Sequence, residues 1–151
     1  MKALMKKHLK NQKGLTLIEL LAVVVILGII AAIAIPSIGA IIDNTRKDAH
    51  IANAEQMVNA VKTAKATNVA GSGTGSNTYT LESLINAGLM ENPDPPGSST
   101  EYTAGTSKVV IDGKDYKVTL ISTERTHINE KVITELRASG GRDLVNVVAG
   151  N

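Results

Sequence analysis

The sequence predicts an α+β protein, a long N-terminal helix laid against an antiparallel sheet of about four strands. Residues 15–42 contain no Lys, Arg or Asp, a run that as a helix reaches about 42 Å. Residues 43–67 contain no Pro or Gly and place Ile51, Ala54, Val58 and Val61 at steps of 3, 4 and 3, one stripe of an amphipathic helix. Late in the chain, apolar and polar residues alternate on either side of Asp112-Gly113, as they do in half-buried strands joined by a tight turn.

The 151 residues leave room for one domain of about 100 residues plus an appended segment. This is too short for most large catalytic architectures. The absence of Cys removes disulfides, thiolate nucleophiles and cysteine metal sites. Without Trp or Phe, and with only Tyr79, Tyr102 and Tyr116, little is available for stacking bases. Direct nucleic-acid binding is therefore not expected. The formal charge of +2 hides an asymmetry, because Lys2, Lys6, Lys7, Lys10 and Lys13 all precede residue 15 with no acid among them. Without that segment 11 basic residues face 14 acidic ones, a charge of −3.

The element after the lysines is apolar: residues 20–35 contain only Leu, Ala, Val, Ile and Gly28. Its length suffices to cross a hydrocarbon core of about 30 Å. The lysines preceding it predict an N-in orientation with the rest of the chain outside. Three kinds of segment fit this composition. A secretory signal peptide would use Ala32-Ile33-Ala34 for cleavage, but the run is long for one and carries Glu19. A permanent anchor explains the length but not the carboxylate, which at a helix centre costs about 2.5 to 3.5 kcal/mol even on insertion scales.

The third possibility rests on the string Lys13-Gly14-Leu15-Thr16-Leu17-Ile18-Glu19-Leu20-Leu21. It resembles the prepilin signature of type IV pilins and pseudopilins: a short basic leader ending in Gly, a hydrophobic first mature residue, Glu at the fifth position, then an apolar helix containing a proline, here Pro36. Leu15 stands where most members carry Phe. The resemblance covers residues 1 to about 60. It implies a cleaved leader (1–14), a membrane and filament-core helix (15–42) and an extracellular head (43–151). It also implies cutting between Gly14 and Leu15 by a prepilin peptidase, which would methylate the new Leu15 amine. In filaments of this family the amine is thought to pair with the Glu19 carboxylate of a neighbouring subunit, a burial-sensitive charge pair that sets register.

The same resemblance implies a subunit that is not an enzyme and takes no cofactor. Its partners would be membrane lipid before assembly, then identical subunits and minor pilins, an inner-membrane platform protein and an assembly ATPase. Adhesion, motility or DNA uptake by a surface filament would be its work. Type II secretion by a pseudopilin and a secreted or anchored binding domain are the alternatives. The lack of Cys departs from many Gram-negative pilins and resembles many Gram-positive ones, pointing to a major or competence pilin of that kind. Pro36 removes one helix hydrogen bond and should kink or loosen the helix, with Gly28 and Gly39 as further weak places.

Further along, Met57 and Ala64 widen the helical stripe, Lys47, Glu55, Asn59 and Lys62 stay largely off it, and Asp43 is set to pair with Lys47. The helix should run from Leu15 to about Thr67, roughly 80 Å. Residues 71–78 (Gly-Ser-Gly-Thr-Gly-Ser-Asn-Thr) lack the preceding strand and following helix of a phosphate cradle, so a flexible loop is expected. Thr80 should cap a short helix over residues 81–87 with Gly88 at C′. Pro93, Pro95 and Pro96 then enforce an extended or turning linker. Four strands are expected: around Val109 and Ile111, around Tyr116 to Leu120, over Val132 to Arg137, and over Leu144 to Val148. Residues 124–131 give no clear pattern.

No catalytic or metal centre is evident. His8, His50 and His127 are far apart in sequence and lack ligand-spaced neighbours. Asp112-Gly-Lys-Asp115 does not match an EF-hand and reads as a plain hairpin. No spacing groups Ser, His and Asp into a nucleophile and base.

Overall fold

The computed structural model describes the backbone of residues 2–72 and 77–147, and the side chains from Thr16 onward within those bounds. It divides into two compact units, Met1–Ile41 and Ile42–Asn151. A single helix, α1 (Lys2–Ala66), supplies the first and opens the second. Then follow β1 (Thr78–Thr80), α2 (Leu81–Asn86), β2 (Lys108–Asp112), β3 (Asp115–Ile121), β4 (Thr126–Val132), α3 (Ile133–Arg137) and a 3-10 turn, Gly141–Leu144.

In the first unit α1 continues through Pro36, whose missing N–H leaves the Ala32 carbonyl without its helical donor. Its large apolar side chains from Leu17 to Ile42 are 44 to 70% exposed. Among the described residues this is the one helix long and apolar enough to cross a membrane.

In the second unit the rest of α1 lies on a four-stranded antiparallel sheet of order β1-β2-β3-β4. Ala54, Met57, Val58, Ala60, Val61 and Ala64 are buried against Tyr79, Leu81, Leu84, Val109, Val118, Leu120 and Ile128. The expected stripe is therefore the buried face, although Ile51 is only partly covered. Lys62, off the stripe, sits over the Tyr116 ring at 5.3 Å. Asp43 pairs with Arg46 at 3.7 Å, not with Lys47, an i, i+3 reach in place of the i, i+4 one. The helix closes on Asn68, which takes a left-handed φ of 55°. Val69 N–H then returns to the Ala64 carbonyl, so Asn68 serves as the C-terminal cap ahead of the Gly-rich loop.

Part of that loop, residues 73–76, lies outside the described residues. Its expected last member, Thr78, instead begins β1, which pairs with β2 through Tyr79 and Val109. Thr80 caps α2 by accepting the Ser83 N–H. Gly88 takes φ 68°, with Leu89 N–H on Leu84 and Gly88 N–H on Ile85, a Schellman close as expected. Pro95 to Ser98 form a turn, the Ser98 N–H bonding the Pro95 carbonyl and Gly97 supplying φ 75°, while the rest of the linker is irregular.

The β2–β3 hairpin has the expected position, with Asp112 opposite Asp115 and Gly113 at φ 62°. The other two expected strands are not strands. Val132 to Arg137 has β-type composition, yet Ile133 and Leu136, three apart, are its buried residues. That spacing belongs to a helix, and α3 forms. Leu144 ends the 3-10 turn, residues 145–147 are irregular, and Val148 lies outside the described residues. The fourth strand is instead Thr126–Val132. Register shifts flank Leu120, so His127 and Ile128 on β4, like Val118, Thr119 and Leu120 on β3, are buried consecutively. Bulges of this kind break the period of two. Glu130, at φ 48°, stabilises one shift by giving its N–H to the Thr119 hydroxyl.

Because the buried stripe and the sheet both lie beyond Ile42, a fragment of residues 43–151 is expected to fold as a monomer and unfold in one cooperative transition. Denaturant unfolding with coincident far- and near-ultraviolet dichroism checks this. A disordered or aggregating fragment would mean that the core needs the preceding residues.

Candidate functional site

Two places hold the residues with chemistry to offer. The first is the start of the apolar helix. Gly14 and Leu15 fall within α1, and their side chains lie outside the described residues. Glu19, one helical turn after Leu15, is exposed between Leu17, Ile18, Leu20 and Leu21, which are 62 to 69% exposed. A single carboxylate on an otherwise apolar surface is costly wherever that surface enters lipid or packs on another helix, unless an opposite charge meets it.

The second place lies in the core of the outer unit, where the fold joins residues that the sequence keeps apart. His50 on α1 and His127 on β4 stack with ring centroids 4.2 Å apart, and Tyr102 meets both edge-on at 5.9 and 5.8 Å. All three are at most 2% exposed. The Asn146 carbonyl, 3.1 Å from His127 Nδ1, can only accept, so Nδ1 carries the proton of the neutral ring. Nε2 is then the acceptor for the Ser122 hydroxyl at 3.0 Å. The Tyr102 hydroxyl accepts from Asn53 at 3.3 Å and is free to donate to His50 Nδ1 at 2.6 Å. This leaves His50 Nε2 as the protonated nitrogen, buried without a hydrogen-bond partner. Burial, with the His127 charge second, lowers the His50 pKa to about 4. For His127 burial again acts first, and the pKa falls despite the Asn146 bond. Burial raises the Tyr102 phenol to about 12.

Ser122, His127 and the Asn146 carbonyl have the connectivity of a nucleophile, a base and an orienting group, a grouping that the sequence spacing did not show. Ser122 is only 3% exposed and its hydroxyl also accepts the Glu124 N–H. The bond therefore holds the β3–β4 turn and offers no open nucleophile. At the surface Asp112 is engaged by Lys117 Nζ at 2.6 Å, which holds its carboxyl below the usual range and ties the hairpin instead of leaving a ligand. No group of three metal-ligating side chains occurs among the described residues.

Two arginines connect the end of the chain to α1. Arg142 grips Asp48 with two hydrogen bonds of 2.6 Å, and Arg137 meets Glu55 at 2.6 Å. Sequence reasoning placed Glu55 off the buried stripe but had no means of finding these partners, which lie more than 80 positions away.

No curated protein and no solved structure matches the chain significantly. A family model does match: residues 9–35 fit the prokaryotic N-terminal methylation motif, a span that includes Gly14, Leu15 and Glu19. The chain thus carries, ahead of a pilin-like α+β fold, the class III signal peptide typical of type IV pilins and pseudopilins, a motif that implies processing by a prepilin peptidase.

Proposed function

We propose that the chain is the precursor of a structural subunit that polymerises into an extracellular type IV pilus-like filament. The observation that carries this reading is the placement of the methylation motif, over residues 9–35, directly on a helix whose apolar surface is left uncovered from Leu17 to Ile42. In the precursor, lipid covers that surface with the lysines of residues 1–14 on the cytoplasmic side. After cleavage between Gly14 and Leu15, helices of identical subunits and minor pilins cover it instead. Gly14, having no Cβ, suits the close backbone approach that a peptidase requires. A platform protein and an assembly ATPase supply position and energy, since this chain needs only to insert, be cut and pack. The head, residues 43–151, is the part displayed at the cell surface.

The mature chain is expected to have 137 residues, the 151 of the full sequence less the 14 of the leader, and to begin at Leu15 with a methylated amine. Intact mass of protein sheared from cell surfaces measures this directly. A start at Ile35 would indicate a secreted domain, and an uncut Met1 a plain anchor. Either result would overturn the filament proposal.

A further inference from the structure

Nothing in filament assembly calls for two histidines in the core of the head, yet four separate segments meet on them. His50 comes from α1, Tyr102 from the linker, His127 from β4, and Asn146 from the end of the described chain. The partners of each ring fit a neutral imidazole. His127 gives its one proton to Asn146 and accepts from Ser122, and His50 accepts from Tyr102 and buries its own N–H unpartnered. A proton added to His127 at Nε2 would turn the Ser122 hydroxyl from donor to acceptor and leave the hydroxyl's own proton only the Arg125 carbonyl at 3.5 Å, and one added to His50 at Nδ1 would displace the Tyr102 hydroxyl proton from its acceptor. Either would place a positive charge 4.2 Å from the other ring.

We propose that the stacked His50–His127 pair is an acid-sensitive latch: uptake of a proton by either ring releases the first turns of α1 in the outer unit from β4 and from the segment around Asn146. The surroundings offer no carboxylate in contact to stabilise the imidazolium. On the turn before β4, Arg125 opposes protonation of His127 and Glu124 favours it. On α1, Asp43 is taken by Arg46 and Asp48 by Arg142. Asp43 and Lys47 line, with Arg125, Thr126 and Asn146, an open groove of about 430 Å³ beside the pair. In the linker, Glu101 bonds Asn92.

The sign follows from linkage. The folded state holds His50 neutral down to about 4, while the unfolded chain takes up the proton near 6.5. Stability is therefore complete above about pH 6.5 and declines as pH falls toward 4, with the unfolding constant rising about tenfold per pH unit for each proton that only the unfolded state binds. Asp48 and Asp112, lowered from 3.8 by Arg142 and Lys117, titrate below this window.

The test uses the full chain in neutral detergent micelles, with urea unfolding followed by tyrosine near-ultraviolet dichroism from pH 7.5 to 4.5. The unfolding constant is expected to rise at least tenfold across this range. The slope should shrink in H50Q/H127Q, whose amides still hydrogen-bond but do not titrate. Amide exchange at pH 5, corrected for intrinsic rates, should show residues 47–54, 126–128 and 145–147 losing protection before the β2–β3 hairpin. Should the double variant fail to fold, proton titration of ¹³C-labelled histidines in the wild-type chain decides, with both core rings expected to titrate below 6.5. Titration of both rings near 6.5, a stability flat over the range, an unchanged slope in the variant, or protection lost evenly over the whole unit would each overturn the latch.

Discussion

Replacing Gly141 by alanine is expected to destabilise the outer unit by about 3 kcal/mol or more, the upper end of what overpacking costs. Gly141 is buried at the start of the 3-10 turn, and a Cβ there would run into the Leu136 carbonyl and close on that of Glu135. Both obstacles are backbone of α3, so no side chain can swing aside to relieve them. The unit would have to shift α3, which carries buried Ile133 and Leu136 and the Arg137–Glu55 pair. At about 4 °C or more per kcal/mol for a unit of this size, thermal unfolding should start at least 10 °C lower. Gly105→Ala is the control: its Cβ would meet only Glu82 Oε2 at 3.5 Å, an ordinary contact, and Tm should barely move. Equal effects at the two glycines would mean that α3 moves freely and that Gly141 is not a packing constraint.

The same region shows where sequence patterns lose their force. The α1 stripe, the Thr80 cap, the Gly88 close and the Asp112-Gly113 turn were legible because each depends on neighbours within about four positions. Residues 132–137 misled because Val and Ile favour strands when judged singly, and the sheet had already been completed elsewhere. Packing decided between the two forms, burying Ile133 and Leu136 on one helical side. Residues 126–132 escaped notice for the opposite reason. Two register shifts on β3–β4 bury His127 and Ile128 together, so the alternation that marks a strand is missing from the sequence. β1 is only three residues long, and its Thr-Tyr-Thr reads equally well as the approach to the Thr80 cap.

The candidate sites divide along the same line. The processing motif is a linear signal, readable because peptidase and membrane both meet the chain as a local segment. The two histidines are 77 positions apart, and neither has a ligand-spaced neighbour in the sequence. His50 leads into Ala54 and Val58 at steps of 4 and 4, which places it on the buried side of α1. Its partner could not be found without the bulge that turns His127 inward.

At the other end of the chain, Glu19→Val is expected to abolish or nearly abolish filaments while leaving insertion intact. The substitution removes a polar group from an apolar helix, so partition into the membrane should if anything improve. The Gly14-Leu15 junction is unchanged, and cleavage should largely survive. Assembly is different. If each Leu15 amine is desolvated against a neighbouring Glu19, the valine leaves every amine in the filament buried without its counter-charge, at a cost of about 3 to 5 kcal/mol per contact. Repeated along a polymer, that exceeds what the added apolar contact of one valine returns, about 1.5 to 3 kcal/mol at full burial. The variant must be the only copy in the cell, because wild-type subunits could carry it into mixed filaments. Electron microscopy then counts filaments, and the mass of the membrane-held subunit shows whether cutting at Gly14 persists. Cleaved subunits without filaments are the expected result. Normal filament number and length would make Glu19 a bystander at the membrane surface, and uncut precursor would move its role from assembly to recognition by the peptidase.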